Sequence, residues 1–360
     1  MTSKARGLAD LGNAYSDGAL SNRNMIINGG MQVAQRGTSA TGVGGSTGYF
    51  TVDRFKVGQN VTAGRLTMTQ DADSPSGFAN SIKLACTTSV ASAGAAEVIN
   101  LSYVFEGQDL QRIAKGTADA QQVTLSFYVK GNASATYAAE LVDDDNSYRL
   151  VSKLFSVTSG WSRIEITFPA DTTGALVDDN TSSLNLNIWL HSGSDFSSGT
   201  LQTAWGSYVA GNRAAGIDSF FSSTANTFQI TGLQLEAGDT ATPFEHRSYG
   251  DELARCQRYA RVLGDGLSGS ATSANTFNAA ATLQPPMRSP PSLVVTDTSI
   301  KISDNYFSDH TSVGSSISYS GVTALGGRIG FVGFSGLTTG RFYNAYGNTN
   351  LTFVLLDAEL

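Results

Sequence analysis

Charge is scarce in this chain: Asp, Glu, Lys and Arg supply 15% of its 360 residues, against roughly 25% in ordinary globular proteins. Disordered chains are rich in charge and poor in aromatics, so 18 Phe, 13 Tyr and 3 Trp exclude that class. Long apolar runs are missing as well. No stretch approaches the roughly 20 consecutive apolar residues of a spanning helix, mean hydropathy is −0.09, and no membrane insertion is expected. The start of the sequence has no short apolar core of the signal-peptide kind, which makes Met1 the expected beginning of the mature chain. Dense basic clusters are also absent. With 23 Lys and Arg against 30 Asp and Glu, the net charge is −7, and no basic stripe exists to displace counterions, so no nucleic-acid partner is expected. Cysteine is limited to Cys86 and Cys256, far apart in sequence. Two such cysteines read as reduced core residues in place of a disulfide.

What is present is alternation. From residue 25 onward apolar and polar residues alternate with period two, the signature of half-buried strands. Val123, Leu125, Phe127 and Val129 alternate with Thr124, Ser126, Tyr128 and Lys130. Leu184, Leu186, Ile188 and Leu190 alternate with Asn185, Asn187 and Trp189. Turn residues such as Gly131-Asn132, Ser159-Gly160 and Ser192-Gly193-Ser194 separate the runs. Strands at this spacing without intervening helices predict antiparallel sheets packed face to face, an all-β sandwich over 25–247. Residues 1–24 precede it as an arm whose Leu8 and Leu11 share one helical face, interrupted by Gly7, Gly12 and Gly18. Such a segment is either a loose terminus or an attachment peptide.

Residues 248–263 read as one short helix. Ser248 caps it, Leu253, Cys256, Ala260 and Leu263 form a narrow stripe, and Gly264 ends it. The stripe suits packing on the chain's own sandwich or self-association equally well. A Gly/Ser/Thr-rich linker over 264–276 and a smaller C-terminal β domain over 277–360 follow. There, Pro285-Pro286 and Pro290-Pro291 mark an extended edge or crossover.

Catalytic and metal signals are weak. None of His191, His246 and His310 has metal-ligand spacing, and no Gly-x-Ser-x-Gly elbow follows a strand into a helix. Gly264–Gly269 matches a dinucleotide fingerprint by letter, but it follows a helix instead of a strand. The acidic turns Asp143-Asp144-Asp145-Asn146 and Asp178-Asp179-Asn180 read as solvated turns, since a calcium hand begun at Asp143 would place Tyr148 and Leu154 where Gly and Glu are required. Glu97, Glu106, Glu140, Glu165 and Glu236 lie in or beside strands, and spacing singles out no cleaving pair. No enzyme activity, cofactor or metal is expected. Aromatics are more informative. Tyr128 and Trp189 occupy the polar phases of their strands and should face away from the core, and Tyr148 follows an acidic turn. Exposed rings stack on sugar faces while Asn and Asp bond the hydroxyls. Tyr128, Tyr148 and Trp189, with His191 at the end of the Trp189 strand, are therefore the candidate glycan-binding residues. The competing reading buries these rings against the arm, the second domain or a partner subunit.

Three stretches carry a family resemblance. Asn24–Thr38 reads Asn-Met-Ile-Ile-Asn-Gly-Gly-Met-Gln-Val-Ala-Gln-Arg-Gly-Thr. Val123–Lys130 forms the strand already noted. Leu233–Tyr259 begins Leu-Gln-Leu-Glu-Ala-Gly-Asp-Thr-Ala-Thr-Pro-Phe-Glu. Together with Tyr49–Phe55, Phe105–Leu110 and the terminal Asp357-Ala358-Glu359-Leu360, they resemble a family of tailed-phage virion proteins often labelled tail fibre. Within it, 25–245 is similar to jelly-roll carbohydrate-binding modules, through Asn28-Gly29, Ser159-Gly160-Trp161 and the final Leu233-Gln234-Leu235-Glu236. The resemblance implies a jelly-roll sandwich and a virion location. It also implies attachment to tail or capsid proteins through the arm, a homotrimer, and host cell-surface polysaccharide as the target. Such modules often hold a structural calcium through an Asp of the last strand. Here Ile230-Thr231-Gly232 offers no carboxylate. A head-decoration or tail-structural protein without glycan binding is the alternative, and a polysaccharide-degrading tailspike ranks behind it, because no repeat of 20–50 residues is evident.

Overall fold

The computed structural model describes residues 22–264, 267–296, 300–304, 309–312, 316–347 and 352–360. Two compact units divide the chain, Met1–Ser248 and Tyr249–Leu360. The expected arm, except for its last residues, lies outside the described residues.

Unit one is a jelly-roll sandwich. In chain order its strands are β1 (Ser39–Val43), β2 (Gly48–Tyr49), β3 (Lys56–Asn60), β4 (Arg65–Asp71), β5 (Ser81–Thr88), β6 (Val98–Glu106), β7 (Val123–Gly131), β8 (Ala135–Asp143), β9 (Arg149–Val157), β10 (Ser162–Phe168), β11 (Ser182–Ser192) and β12 (Thr227–Ala237). Two six-stranded antiparallel sheets result, ordered β1-β4-β5-β12-β7-β10 and β2-β3-β6-β11-β8-β9. The alternation seen in the sequence explains their packing. Val123, Leu125, Phe127 and Val129 of β7 are buried in one core with Leu184, Leu186, Ile188 and Leu190 of β11. Rings interlock across the gap: Phe127 meets Phe155 edge-on at 5.1 Å, and Tyr137 meets Phe228 at 5.6 Å. Burying each such ring contributes about 1.5–3 kcal/mol, and truncating Phe127 to Ala would open a cavity at a cost of about 3–5 kcal/mol.

The first segment closes on the last strand. Met25 N–H donates to the Leu235 carbonyl at 2.9 Å and Leu233 N–H to the Gly29 carbonyl at 3.0 Å, while Asn24 Nδ2 donates to the Leu233 carbonyl at 2.9 Å. A Cβ on Gly29 would stand 2.1 Å from the Leu233 oxygen, so only glycine permits this approach. Between β11 and β12 the chain makes a long excursion. It carries α1 (Ser194–Ser197) and two 3-10 turns, Ala210–Asn212 and Phe220–Ser222, and it folds back over the outer face of the second sheet.

Unit two opens with α2 (Tyr249–Gln257) and continues through β13 (Ala260–Gly264), β14 (Leu267–Ser273), β15 (Thr276–Thr282), β16 (Ser292–Val295), β17 (Ile300–Asp304), β18 (Asp309–Ser312), β19 (Ser316–Thr323), β20 (Gly326–Val332), β21 (Phe342–Gly347) and β22 (Thr352–Asp357). A three-stranded sheet β13-β22-β16 accompanies a seven-stranded one, β18-β17-β21-β14-β15-β20-β19. Its core gathers Phe277, Ile302, Phe331, Tyr343, Val354 and Leu356. Cys86 and Cys256 are both buried, and neither is in a disulfide.

Two boundaries differ from the sequence reading. The helix expected over 248–263 ends at Gln257, because the backbone beyond it is taken by other partners: Arg288 N–H donates to the Arg258 carbonyl and Ala358 N–H to the Tyr259 carbonyl, both at 2.7 Å. Val262 and Leu263 then pair with Leu355 and Val354 of β22. The expected linker over 264–276 carries β14 and the turn into β15. Its small residues allow close strand approach, since a Cβ on Gly269 would lie 1.9 Å from the Asn278 carbonyl.

Candidate functional site

The acidic turn after β8 is built by Asp143, whose Oδ1 accepts from the Asn146 N–H at 3.1 Å. After it, Ser147 and Tyr148 adopt left-handed backbone, φ 56° and 58°, an uncommon conformation for both residues. The result lifts the Tyr148 ring off the surface, where it is 57% exposed. From the excursion, Tyr208 rises beside it, 42% exposed, with ring centroids 6.4 Å apart in a T-shaped pair. Both rings border a cleft of about 240 Å³ on the outer face of the second sheet. Its floor is polar. Ser102 comes from β6, Asn185 and Asn187 from β11, and Lys56 from β3, with Asp144 and Arg213 completing the lining beside Val142.

Beneath the floor lies a buried network. Arg213 donates to Glu140 through two bonds, Nε to Oε1 at 2.8 Å and Nη2 to Oε2 at 2.7 Å. The guanidinium is stacked between Trp189, 4.8 Å from its centre, and Tyr208, 5.3 Å. Trp189 Nε1 and Asn187 Nδ2 also donate to Glu140 Oε2, at 2.9 and 3.0 Å, and Ser102 Oγ donates to Asn187 Oδ1 at 2.6 Å. Burial works against the Arg213 charge, but the Glu140 bonds and charge outweigh it and hold its pKa above the ordinary value. Asp144 moves the other way: burial raises its pKa, helped by Asp143 and Asp145, although hydrogen bonds from Ser182 and Asn185 oppose the rise. Because four donor contacts from three side chains saturate Glu140, it is not a free acid or base for bond cleavage. The cleft is equipped to hold a ligand with flat apolar faces and many hydroxyls.

Of the residues singled out from sequence, Tyr148 lies in this cleft. Trp189 does face away from the main core, but it is 1% exposed. The excursion covers it with Phe196, Ala214 and Ile217, so it supports Arg213 from below and has no open face. His191 is fully buried as well. Its Nδ1 lies 2.7 Å from Ser219 Oγ and its Nε2 3.0 Å from Glu97 Oε2. Tyr128 stands on the other sheet, half-buried against Phe78 at 5.4 Å and clear of the cleft. Tyr208, Arg213 and Glu140 were not singled out. Tyr208 and Arg213 sit in a segment without periodicity. Glu140 lies on the outward phase of β8, between the core residues Ala139 and Leu141; a lone carboxylate at that phase gives no sign of its partners.

Among the described residues, the carboxylates near the place the resemblance implies for a structural calcium are held by protein donors. Where a last-strand carboxylate would serve, β12 offers Thr231, whose hydroxyl donates to the Asn80 carbonyl at 2.7 Å. Glu236, further along, is occupied by the N–H and hydroxyl of Thr242 and by Gln234. Asp143 is ion-paired to the Lys115 ammonium. Among the described residues, no group of three or more His, Cys, Asp or Glu side chains converges as a cation cage.

No family model matches the chain. No curated protein matches it. Among solved structures, the chain is similar to TmCBM61 in complex with β-1,4-galactotriose, with a TM-score of 0.32, 10% identity, and coverage of 60% of this chain and 99% of that one. It is also similar to a CBM4 structure, with a TM-score of 0.30, 9% identity, and coverage of 58% and 97%. The enzymatically active domain of tailspike protein 4 from bacteriophage CBA120 matches with a TM-score of 0.30 and 12% identity, over 60% of this chain and 21% of that one.

Proposed function

We propose that this protein is a structural virion protein of a tailed phage, a tail-fibre or appendage subunit whose sandwich binds host surface glycan through the Tyr148/Tyr208 cleft. The observation that carries the binding role is the pair of exposed rings above a floor of Asn185, Asn187, Ser102 and Lys56. Rings supply stacking area, and the floor supplies donors and acceptors for hydroxyl groups. The virion role rests on the resemblance of Asn24–Thr38 and Leu233–Tyr259 to phage virion proteins. In this reading the arm attaches to tail or capsid proteins, the chain works as a homotrimer in the assembled particle, and no cofactor takes part. Each site is weak alone, and several copies on one particle raise avidity by about 10²–10⁴ without new contacts.

The test is binding of labelled full-length protein to intact cells of candidate hosts, with free surface polysaccharide as competitor and oligomeric mass recorded alongside. Saturable binding that the polysaccharide competes away, and that weakens in Tyr148→Ala and Tyr208→Ala, supports the reading. No binding by an assembled oligomer would turn it toward a head-decoration or tail-structural role without glycan binding.

A further inference from the structure

A second constellation lies in unit one apart from the cleft, and the two sites share no lining residue. Glu97 precedes β6, His191 is near the end of β11, and Ser219 stands at the start of the last 3-10 turn of the excursion. Ser219 Oγ lies 2.7 Å from His191 Nδ1, and His191 Nε2 lies 3.0 Å from Glu97 Oε2. We infer that these groups form an acyl-transfer site in which Ser219 is the nucleophile, His191 the general base and Glu97 the residue that positions the imidazole, acting on carboxylic esters.

Proton placement follows from the partners. Glu97 also accepts from Thr62 Oγ1 at 3.0 Å. Burial alone would raise its pKa, but hydrogen bonds from His191, Gly94 and Thr62 hold it below the usual carboxylate value, so it is ionised at neutral pH. An ionised carboxylate only accepts. The proton of a neutral imidazole therefore sits on Nε2, and Nδ1 presents its lone pair to the Ser219 hydroxyl. This is the nucleophile–base–orienter chain that acyl transfer requires, and such chains are recognised by geometry and role, not by sequence position. His191 is held further by the Phe221 ring, edge-on at 5.2 Å.

Ser219 opens on a cavity of about 270 Å³. Ala133, Ala135 and Val157 line part of it, and the rest is polar, with Asn132, Asn226 and Asp218 among its lining residues. That volume falls just below the roughly 300–1,000 Å³ of drug-sized pockets. The cavity has room for the acyl group of a small ester, and Asp218 disfavours anionic acyl groups. In the first half-reaction, Ser219 Oγ attacks the ester carbonyl carbon as its proton moves to His191 Nδ1. The bond to the alcohol oxygen then breaks, and the alcohol leaves with that proton. In the second, a water gives a proton to Nδ1 and attacks the acyl carbon. The bond to Oγ breaks, Ser219 regains the proton, and carboxylic acid is released. Ester and water become acid and alcohol, with no other reactant.

Purified full-length protein would be treated with a fluorophosphonate probe and mapped by mass spectrometry. Hydrolysis of p-nitrophenyl acetate, butyrate and octanoate would be followed in parallel. The expected result is an adduct on Ser219 and hydrolysis of these esters, with both signals reduced about 100-fold or more in Ser219→Ala. Glu97→Gln should lower kcat and displace the pH–rate profile while leaving tryptophan fluorescence native, a response that a purely structural contact would not give. Absence of an adduct on Ser219 from native protein, or ester hydrolysis equal in wild type and Ser219→Ala, would overturn the assignment. Neither result bears on the Tyr148/Tyr208 cleft.

Discussion

Arg213 grips Glu140 with a two-pronged hydrogen bond, 2.8 and 2.7 Å, in which the carboxylate is wholly buried and the guanidinium is stacked on Trp189. One link thereby ties the excursion to the second sheet and sets the place of Tyr208. Removing one partner of a buried pair leaves the other charge without compensation, so Arg213→Ala should destabilise the sandwich by about 3–5 kcal/mol. Lys cannot reproduce the planar fork, so Arg213→Lys should recover only part of that loss. Trp161, Trp189 and Trp205 are the only tryptophans, and all lie in unit one. Urea unfolding followed by tryptophan fluorescence therefore reads this unit alone.

Tyr148→Ala and Tyr208→Ala should each weaken glycan binding about tenfold, or about 1.4 kcal/mol, with the urea midpoint changed least in Tyr148→Ala, whose ring is 57% exposed against 42% for Tyr208. Tyr128→Ala should leave affinity unaltered because its ring packs on Phe78 on the other sheet. Titration calorimetry with a competing polysaccharide fragment checks all three. Equal losses from Tyr128 and Tyr208 would disprove the choice of face.

Acid should unfold unit one through a few identifiable carboxylates. Burial pushes Asp171 upward, but Arg149, the Thr173 N–H and Lys115 outweigh it, and the folded pKa lies below the usual 3.8. Glu245 is likewise held below its usual 4.5 despite burial, by the Asn24 N–H and by Arg247. A folded pKa below the unfolded one means that the unfolded chain binds more protons in acid. This stabilisation is present above pH 4–5 and is lost as pH falls through the folded values. Asp144 has the opposite sign. Its raised pKa favours the folded state below pH 4 and loses that contribution as pH rises through the folded value. Urea midpoints should fall between pH 6 and pH 3, and Asp171→Asn should flatten that fall while lowering the midpoint at pH 6.

Gly29→Ala should destabilise unit one by about 3 kcal/mol, because the new Cβ meets a backbone oxygen 2.1 Å away that cannot swing aside. Gly30→Ala is the control. Its Cβ would have nothing nearer than the Phe244 ring at 3.7 Å, and a change within about 1 kcal/mol is expected. Similar losses at both positions would refute the contact as the cause.

The sandwich was legible because one face of each strand enters the core: Val123, Leu125, Phe127 and Val129 all point inward as their spacing requires. The same alternation placed Trp189 on the outward phase correctly, yet gave no hint that Phe196, Ala214 and Ile217 would return to cover it. Those residues belong to a loop, and a loop has no period to read. Half the cleft was hidden for this reason: Tyr148 announced itself beside an acidic turn, whereas Tyr208 and Arg213 acquire meaning only through contacts across the fold. The 264–276 stretch misled for a different reason. Gly, Ser and Ala suit flexible linkers and also closely approaching strands, and composition alone does not separate the two.

The final strand of the sandwich, β12, lies inside its sheet, between β5 and β7. Until the chain has been synthesised through Ala237, β5 and β7 each present an open hydrogen-bonding edge with no partner between them, and Met25 has no Leu235 carbonyl to reach. Assembly therefore waits on contacts separated by about two hundred residues, a slow route that exposes sheet edges to other chains meanwhile. Cotranslational folding cannot complete this unit piece by piece, and a nascent chain stopped short of Thr227 is an aggregation hazard instead of a smaller sandwich.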